Sequence, residues 1–116
     1  MQLSTTMAAA LLASLTSATV FQGVRTGTDG SKSQVAYTNG TPDICSGFTT
    51  IRQGDGNPCG INFCVDGNNC GFNLQGCGGN NFHLERNGAF NSICRFEPKR
   101  IACSGGVVIQ QNWNCS

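Results

Sequence analysis

Beyond residue 18, apolar and polar residues alternate as they do in β-strands and show no helical period. Gln34–Thr38 alternates in this way and runs into the turn dipeptide Asn39-Gly40. Further strands are predicted at residues 48–52, 82–86, 89–97, 101–103 and 107–111, with Ser104-Gly105-Gly106 joining the last two. The predicted fold class is therefore all-β or β-dominant, with a small antiparallel sheet.

The register of the hairpin across Asn87-Gly88 depends on which residues face the core. A two-residue loop would pair Glu85 with Phe90 and place a charge opposite an apolar residue. A three-residue loop pairs Arg86 with Phe90 instead. It also brings the following residues to one face: Phe82, Leu84, Phe90, Cys94 and Phe96. We therefore predict the three-residue loop, because a slip of one residue would invert every side chain.

The N-terminal part of the chain divides at residue 18. Residues 7–15 are apolar and precede the small residues Thr16-Ser17-Ala18, which is typical of a secretory signal peptide. A membrane-spanning segment would need about 20 apolar residues. We predict a signal peptide at 1–18 and a single small disulfide-rich domain at 19–116. Residues 19–32 are rich in Gly, Ser and Thr and fit a pro-segment, an edge strand or a flexible lead; a strand followed by a loop is preferred.

Residues 53–81 form a block dense in Gly, Asn and Cys that contains an internal repeat. Asp55–Phe63 matches Asp66–Leu74 at a spacing of 11 residues. The repeat is too short for a solenoid. It predicts two similar turns, each held by a cysteine (Cys59 and Cys70), with Gly and Asn at positions of positive φ.

All eight cysteines lie in the C-terminal two thirds of the chain: Cys45, Cys59, Cys64, Cys70, Cys77, Cys94, Cys103 and Cys115. An even number in a short chain with a leader predicts four disulfides and an oxidising, extracellular location. Zinc ligation by these cysteines would suit a cytosolic chain instead. Their connectivity is left open, but we expect at least one bridge to tie the Gly/Asn block to the C-terminal third.

Charge excludes some classes of partner. Seven basic and six acidic residues give a net charge of +1, without a basic stripe or a basic amphipathic helix. Nucleic-acid binding and attachment to a membrane surface are therefore not expected.

The single histidine, His83, shares a strand face with Glu85 and has Arg86 and Arg95 nearby. A base, an acid and an arginine suit a secreted ribonuclease. A solvated strand face is the preferred interpretation, because the predicted register points His83 and Glu85 away from the core. Small secreted fungal ribonucleases also use a second histidine, which this chain lacks. Paired carboxylates for glycoside hydrolysis or Ca²⁺ would come from Asp29, Asp43, Asp55, Asp66, Glu85 and Glu97. Asp55 and Asp66 occupy equivalent turns of the repeat, which would bring them close together. Asp-Gly-Asn is also a common turn opener, and that interpretation is preferred.

Two short motifs concern processing of the secreted chain. Asn39-Gly40-Thr41 is a glycosylation sequon in a predicted exposed turn. Lys99-Arg100 is the only dibasic pair and a potential protease site, although two ordinary charges in a turn after Pro98 are preferred.

A binding surface is predicted from aromatic residues near the Gly/Asn-rich loops. Phe63, Phe72 or Trp113 would supply an aromatic platform, and the loop amides would supply hydrogen bonds, a combination that suits sugars. The alternative is that these aromatic residues form the small core of the domain.

With its leader, short mature part, eight cysteines and Gly/Asn-rich body, the chain resembles the small secreted cysteine-rich proteins of filamentous fungi. Many of those proteins act as effectors toward a plant host, and others are antifungal or killer-type toxins. We therefore expect a secreted, monomeric, non-enzymatic effector-like protein without cofactor or metal, which binds a host protein or glycan. An antimicrobial toxin is the alternative, which the near-neutral charge disfavours. A ribonuclease-like enzyme ranks third.

Overall fold

The computed structural model describes residues 19–116, so the predicted leader lies outside the described residues. Eight strands run in the order β3-β2-β1-β8-β7-β6-β5-β4, and all neighbouring strands are antiparallel. Their bounds are β1 Val20–Thr26, β2 Lys32–Thr38, β3 Thr49–Gln53, β4 Phe63–Val65, β5 Asn69–Gln75, β6 His83–Arg86, β7 Ala89–Ala102 and β8 Val108–Cys115. A short helix, α1 (Ile44–Gly47), and a 3₁₀ turn (Ser104–Gly106) complete the described elements. The prediction of a β-dominant antiparallel fold is confirmed.

Strand β1 lies in the middle of the sheet, between β2 and β8, so the alternative of an edge strand was wrong. Val20 is fully buried opposite Cys115. Gly23 allows β8 to approach closely, since a Cβ atom there would lie 2.9 Å from Cα of Gln111. A segment with few apolar residues thus becomes central through backbone pairing on both sides rather than through a large apolar face.

One face of the sheet encloses an inner core. The sheet curls until its terminal strands, β3 and β4, contact each other. The buried residues inside are Val20, Ala36, Ile51, Phe63, Val65, Phe72, Leu74, Leu84 and Cys115. The curl allows a chain with few large apolar residues to bury them together, and each buried large side chain contributes about 1.5–3 kcal/mol.

A second, outer core covers the opposite face of β1, β2 and β8. Val35, Tyr37 and Ile109 are fully buried there, beneath the segment of α1 and Phe48. Both faces of β2 are consequently covered, and residues 33–38 are all buried. Burial raises the pKa of Tyr37 to about 12, because the charged phenolate is disfavoured away from water.

The hairpin between β6 and β7 corrects the predicted register. Arg86 pairs with Ala89 and Glu85 pairs with Phe90, as a two-residue loop requires. Asn87 and Gly88 both adopt positive φ, which is the requirement of such a turn. A bulge then inserts Asn91 into β7, so that Leu84 pairs with Ser92 and both residues are buried. Beyond the bulge, Leu84 and Cys94 therefore lie on one face, as the three-residue loop was chosen to achieve.

Only some of the residues predicted to form the core face are buried. Leu84 is fully buried, and Phe82 and Cys94 pack against the inner core. Phe90 and Phe96 are each 64% exposed, so their prediction as core residues was wrong. Phe90 lies opposite Glu85 on the outer face, whereas Phe96 shares the face of Cys94 but lies beyond the enclosed part of the sheet.

Lys99 and Arg100 do not lie in a turn. Strand β7 continues through them to Ala102, and they pair with Gln111 and Gln110. Pro98 falls in the irregularity between Phe96 and Lys99. A proline is tolerated there because the ladder needs no N–H donor at a bulge. The two strands predicted at 89–97 and 101–103 are therefore one.

The disulfides are Cys45–Cys103, Cys59–Cys77, Cys64–Cys70 and Cys94–Cys115. Participation of all eight cysteines is confirmed. The expectation of a bridge between the Gly/Asn block and the C-terminal third was wrong, since both bridges of the block are internal. Pairing of β5 with β6 and burial of Phe72 and Leu74 beside Leu84 hold the block instead.

The two copies of the repeat adopt different structures. Cys59 lies in a turn, whereas Cys70 lies in β5 and bridges to Cys64 of the neighbouring β4. What the copies share is the glycine after each cysteine, because Gly60 and Gly71 both have positive φ. The sequence similarity therefore specifies a local backbone conformation and not a repeated unit.

Candidate functional site

A cleft of about 450 Å³ opens at the end of the inner face that the core does not fill. The sheet forms one side of the cleft, and loops of the Gly/Asn block form the other. Its described lining residues are Gln22, Gln34, Pro58, Cys77, Gly78, Gly79, Phe82, Asn112 and Trp113. Among the three predicted platform residues, only Trp113 lies here.

A bulge in β8 aims Trp113 into the cleft. The register of β1 against β8 shifts between Gln22 and Gly23, which leaves Asn112 as the extra residue. Trp113 consequently faces inward opposite Gln22, whereas Gln111 faces outward and accepts a hydrogen bond from the Tyr37 hydroxyl at 3.0 Å. Without the extra residue, side chains two apart would share one face.

Two phenylalanines contact the indole of Trp113. Phe82 and Trp113 make a T-shaped contact with 4.9 Å between ring centroids, and Phe96 and Trp113 make another with 5.4 Å between ring centroids. Edge-to-face contacts at these distances are favourable and restrict the ring. Trp113 remains partly exposed, so an orientationally fixed aromatic surface faces the cleft.

Two buried glutamines provide the polar floor. Gln22 and Gln34 are 3% and 6% exposed, and the side-chain amide of Gln22 donates to the amide oxygen of Gln34. Nε2 of Gln34 donates to the carbonyl oxygens of Asp55 and Gly56 at 3.0 and 2.8 Å. These bonds fix both amides and also tie β2 to the loop that leads into the opposite wall.

The Cys59–Cys77 disulfide joins the two loops of that wall. Pro58 precedes one of its cysteines, and Gly78 and Gly79 follow the other. Asn57 braces the first loop, since its Oδ1 accepts the Cys59 N–H at 2.8 Å. The wall is therefore set by a covalent link and local hydrogen bonds rather than by a strand.

The cleft suits binding of an uncharged polar ligand. None of its described lining residues is titratable, because Cys77 is disulfide-bonded. The lining offers an aromatic ring, apolar loop atoms, the side-chain amide of Asn112, and the amide oxygens of Gln22 and Gln34, whose N–H groups are donated within the protein. This is the composition of a recognition site rather than of an acid–base site.

Phe63 and Phe72, the other two platform candidates, are core residues. Both are buried, and their rings stack at 5.9 Å between centroids. Arg86 lies over the Phe72 ring, with its guanidinium carbon 4.8 Å from the ring centroid. The core interpretation is correct for these two residues.

The acidic pair of the repeat does not form a joint site. Asp55 lies 3.8 Å from Nζ of Lys32, at the start of β2. Asp66 accepts hydrogen bonds from the hydroxyls of Thr38 and Thr41 at 2.6 and 2.8 Å, at the end of β2. Seven residues of strand separate the two places by about 20 Å. No group of three or more His, Cys, Asp or Glu within residues 19–116 is placed to hold a metal ion.

His83 and Glu85 do share a strand face, as predicted, and they lie outside the cleft. Nε2 of His83 is 3.1 Å from Oε2 of Glu85, and Nδ1 is 2.8 Å from the carbonyl oxygen of Asn81. The imidazole also packs against Phe90, with 5.8 Å between ring centroids. Hydrogen bonds to Asn81 and then to Glu85 raise the pKa of His83 above 6.5.

We expect Glu85→Gln to lower the pKa of His83 without returning it fully to the ordinary value, because the Asn81 carbonyl remains. NMR titration of the single imidazole measures this directly. In the native protein the raised pKa adds stability that is complete below pH 6.5 and is lost as pH rises through the folded pKa. An unchanged pKa in the variant would contradict the contact with Glu85.

The sequon residue Asn39 is exposed in the turn after β2. Thr41 of the same sequon is buried and hydrogen-bonded. Glycosylation of Asn39 stays a prediction.

Most of the residues that line the cleft could not be recognised from sequence patterns. Gln22 belongs to the N-terminal segment for which a flexible lead was an alternative, and Gln34 was one polar residue of an alternating strand. Phe82 was predicted as a core residue, and Asn112 carried no hypothesis.

No helix in residues 19–116 is long and apolar enough to cross a membrane. Comparison with known proteins found no matching family model, no curated relative and no similar solved structure.

Proposed function

We propose that this chain is an extracellular, non-enzymatic protein that binds a carbohydrate through the Trp113 cleft. The observation that carries the proposal is Trp113 itself, held by Phe82 and Phe96 above a floor of fixed glutamine amides. It narrows the sequence-based hypothesis of a host protein or glycan to the glycan.

Carbohydrate chemistry matches this lining. The C–H face of a pyranose is apolar and packs on an aromatic ring, and its hydroxyls need partners that donate and accept in the same plane. The amide of Asn112 can supply both functions, and the amide oxygens of Gln22 and Gln34 can accept. Because the two glutamine side chains are already fixed by hydrogen bonds within the protein, they lose little entropy on binding. A cleft of about 450 Å³ falls within the range of small-ligand sites.

An extracellular location is supported by the disulfides and the predicted leader. Four bridges in a small domain are characteristic of oxidising compartments. The absence of a titratable lining residue supports binding rather than cleavage at this site. The ribonuclease-like group around His83 lies on the other face of the sheet, so it would not act on a ligand in the cleft.

The test is binding of the native, secreted protein to an array of plant and microbial glycans, followed by titration of the best ligand. Trp113 is the only tryptophan, so its fluorescence reports the cleft without a label. We expect Trp113→Ala to weaken binding about 30-fold or more, as loss of a central aromatic contact does. Calorimetry measures the affinity of this variant, which has no tryptophan fluorescence. Phe90→Ala is the matched control and should leave binding unchanged, because Phe90 is exposed on the outer face. Equal binding by both variants would exclude the cleft as the site.

A further inference from the structure

Phe96 extends the aromatic surface of the cleft to the neighbouring strand. It pairs with Trp113 across β8 and β7, and Trp113 pairs with Gln22 across β8 and β1. These three side chains therefore form a row that crosses the strands on the inner face. Phe96 makes a T-shaped contact with the indole and is nevertheless 64% exposed. Among the described residues, none covers the rest of its ring.

The spacing of this row matches a polymer of sugars. The ring centroids of Trp113 and Phe96 are 5.4 Å apart, close to the length of one pyranose unit in an extended oligosaccharide. The two rings are inclined by 69° to each other, so consecutive units would have to present their faces at different angles. A single sugar fills only the Trp113 position and leaves Phe96 exposed to water.

Charge restricts the ligand further. The cleft has no titratable lining residue to pair with a uronate or a glucosamine, and an unpaired charge is costly to remove from water. The charged neighbours of Phe96 in sequence lie on the outer face. Arg95 pairs there with Asn114, and the carboxylate of Glu97 accepts from Gln111 and Asn114 at 3.3 and 3.1 Å.

Resting on the proposed function, we propose that the ligand is an uncharged oligosaccharide of at least two units, one against Trp113 in the cleft and the next against Phe96. Phe96 is thus a specificity-determining residue for chain length. Binding of the second sugar unit would cover the Phe96 ring, which is exposed to solvent in the free protein.

The experiment compares oligosaccharides of one to six units on the native protein by calorimetry and Trp113 fluorescence. The neutral probes are oligomers of glucose, mannose and N-acetylglucosamine, and the charged probes are oligogalacturonate and oligoglucosamine of matched length. We expect affinity to rise about 5- to 10-fold from one unit to two or three, as an added aromatic contact allows. Charged oligomers should bind more weakly than neutral oligomers of the same length.

Three variants locate the effect. Phe96→Ala should flatten the dependence on length, Phe96→Tyr should retain it, and the equally exposed control Phe90→Ala should behave as the native protein. Both positions of substitution are solvent-exposed, so near-ultraviolet circular dichroism should verify an unchanged fold.

The outcomes separate this inference from the proposed function. Sugar binding that Trp113→Ala removes, but that ignores chain length or Phe96→Ala, overturns the inference and leaves the proposed function standing. Preference for a charged oligomer also overturns it. If no sugar binds, the proposed function fails and the inference fails with it.

Discussion

Joint replacement of Cys45 and Cys103 by alanine is expected to lower the free energy of unfolding by about 4 kcal/mol. Their bridge closes the longest loop in the protein, with a sequence separation of 58, and therefore restricts the unfolded chain most. It also fastens the segment of Ile44 and Phe48 over the outer core. Such a loss is a large part of the roughly 5–15 kcal/mol that stabilises a typical domain. Urea unfolding followed by Trp113 fluorescence measures it.

The Cys64→Ala/Cys70→Ala variant is the matched control. That bridge spans a separation of only 6 and links strands β4 and β5, which already pair. The same chain-entropy argument gives a loss of about 2 kcal/mol for it. A control variant as unstable as the Cys45/Cys103 variant would show that loop length does not govern the contribution of these bridges.

Joint replacement of Cys59 and Cys77 by alanine is expected to lower the free energy of unfolding by about 3 kcal/mol and to open the cleft. The stability effect follows from a sequence separation of 18. The effect on the cleft follows because this bridge joins the loops of Pro58 and Gly78-Gly79 that face Trp113. Once separated, the loops no longer shield the indole or present a preorganised wall.

Quenching of Trp113 fluorescence by acrylamide tests the opening of the cleft without any ligand. We expect quenching to increase in the Cys59/Cys77 variant and to stay native in the Cys64/Cys70 variant, under conditions where both are folded. Binding of the best neutral oligosaccharide should weaken in the first variant only. Native quenching and native binding in the Cys59/Cys77 variant would mean that hydrogen bonds alone hold the wall.

The site is built where the fold departs from regular pairing. The β8 bulge at Asn112 rotates Trp113 toward the interior, and the irregularity of β7 between Phe96 and Lys99 lies beside it. On one side of these bulges the inner face is closed over a core, and on the other side it is open. Bulges near functional sites commonly re-aim a side chain in this way.

The hairpin across Asn87-Gly88 shows the limit of predicting strand register from the alternation of side chains. The preference of Asn-Gly for a two-residue turn conflicts with the need to bring Leu84 and Cys94 to one face, and the predicted three-residue loop satisfies only the second requirement. The structure satisfies both by inserting Asn91 as an extra residue in β7. Nothing in the local pattern of apolar residues signals such an insertion.

The sequence alone determined the class of this protein: a β-dominant antiparallel domain with eight paired cysteines, because strand alternation, turn dipeptides and cysteine number are local or compositional properties. It also named Trp113 as one of three candidate platform residues. Only the tertiary structure decided that Phe63 and Phe72 are core residues, that Trp113, Phe96 and Gln22 form one row, and which cysteines pair. These features depend on register and on the curl of the sheet, which are set by contacts between residues far apart in the chain.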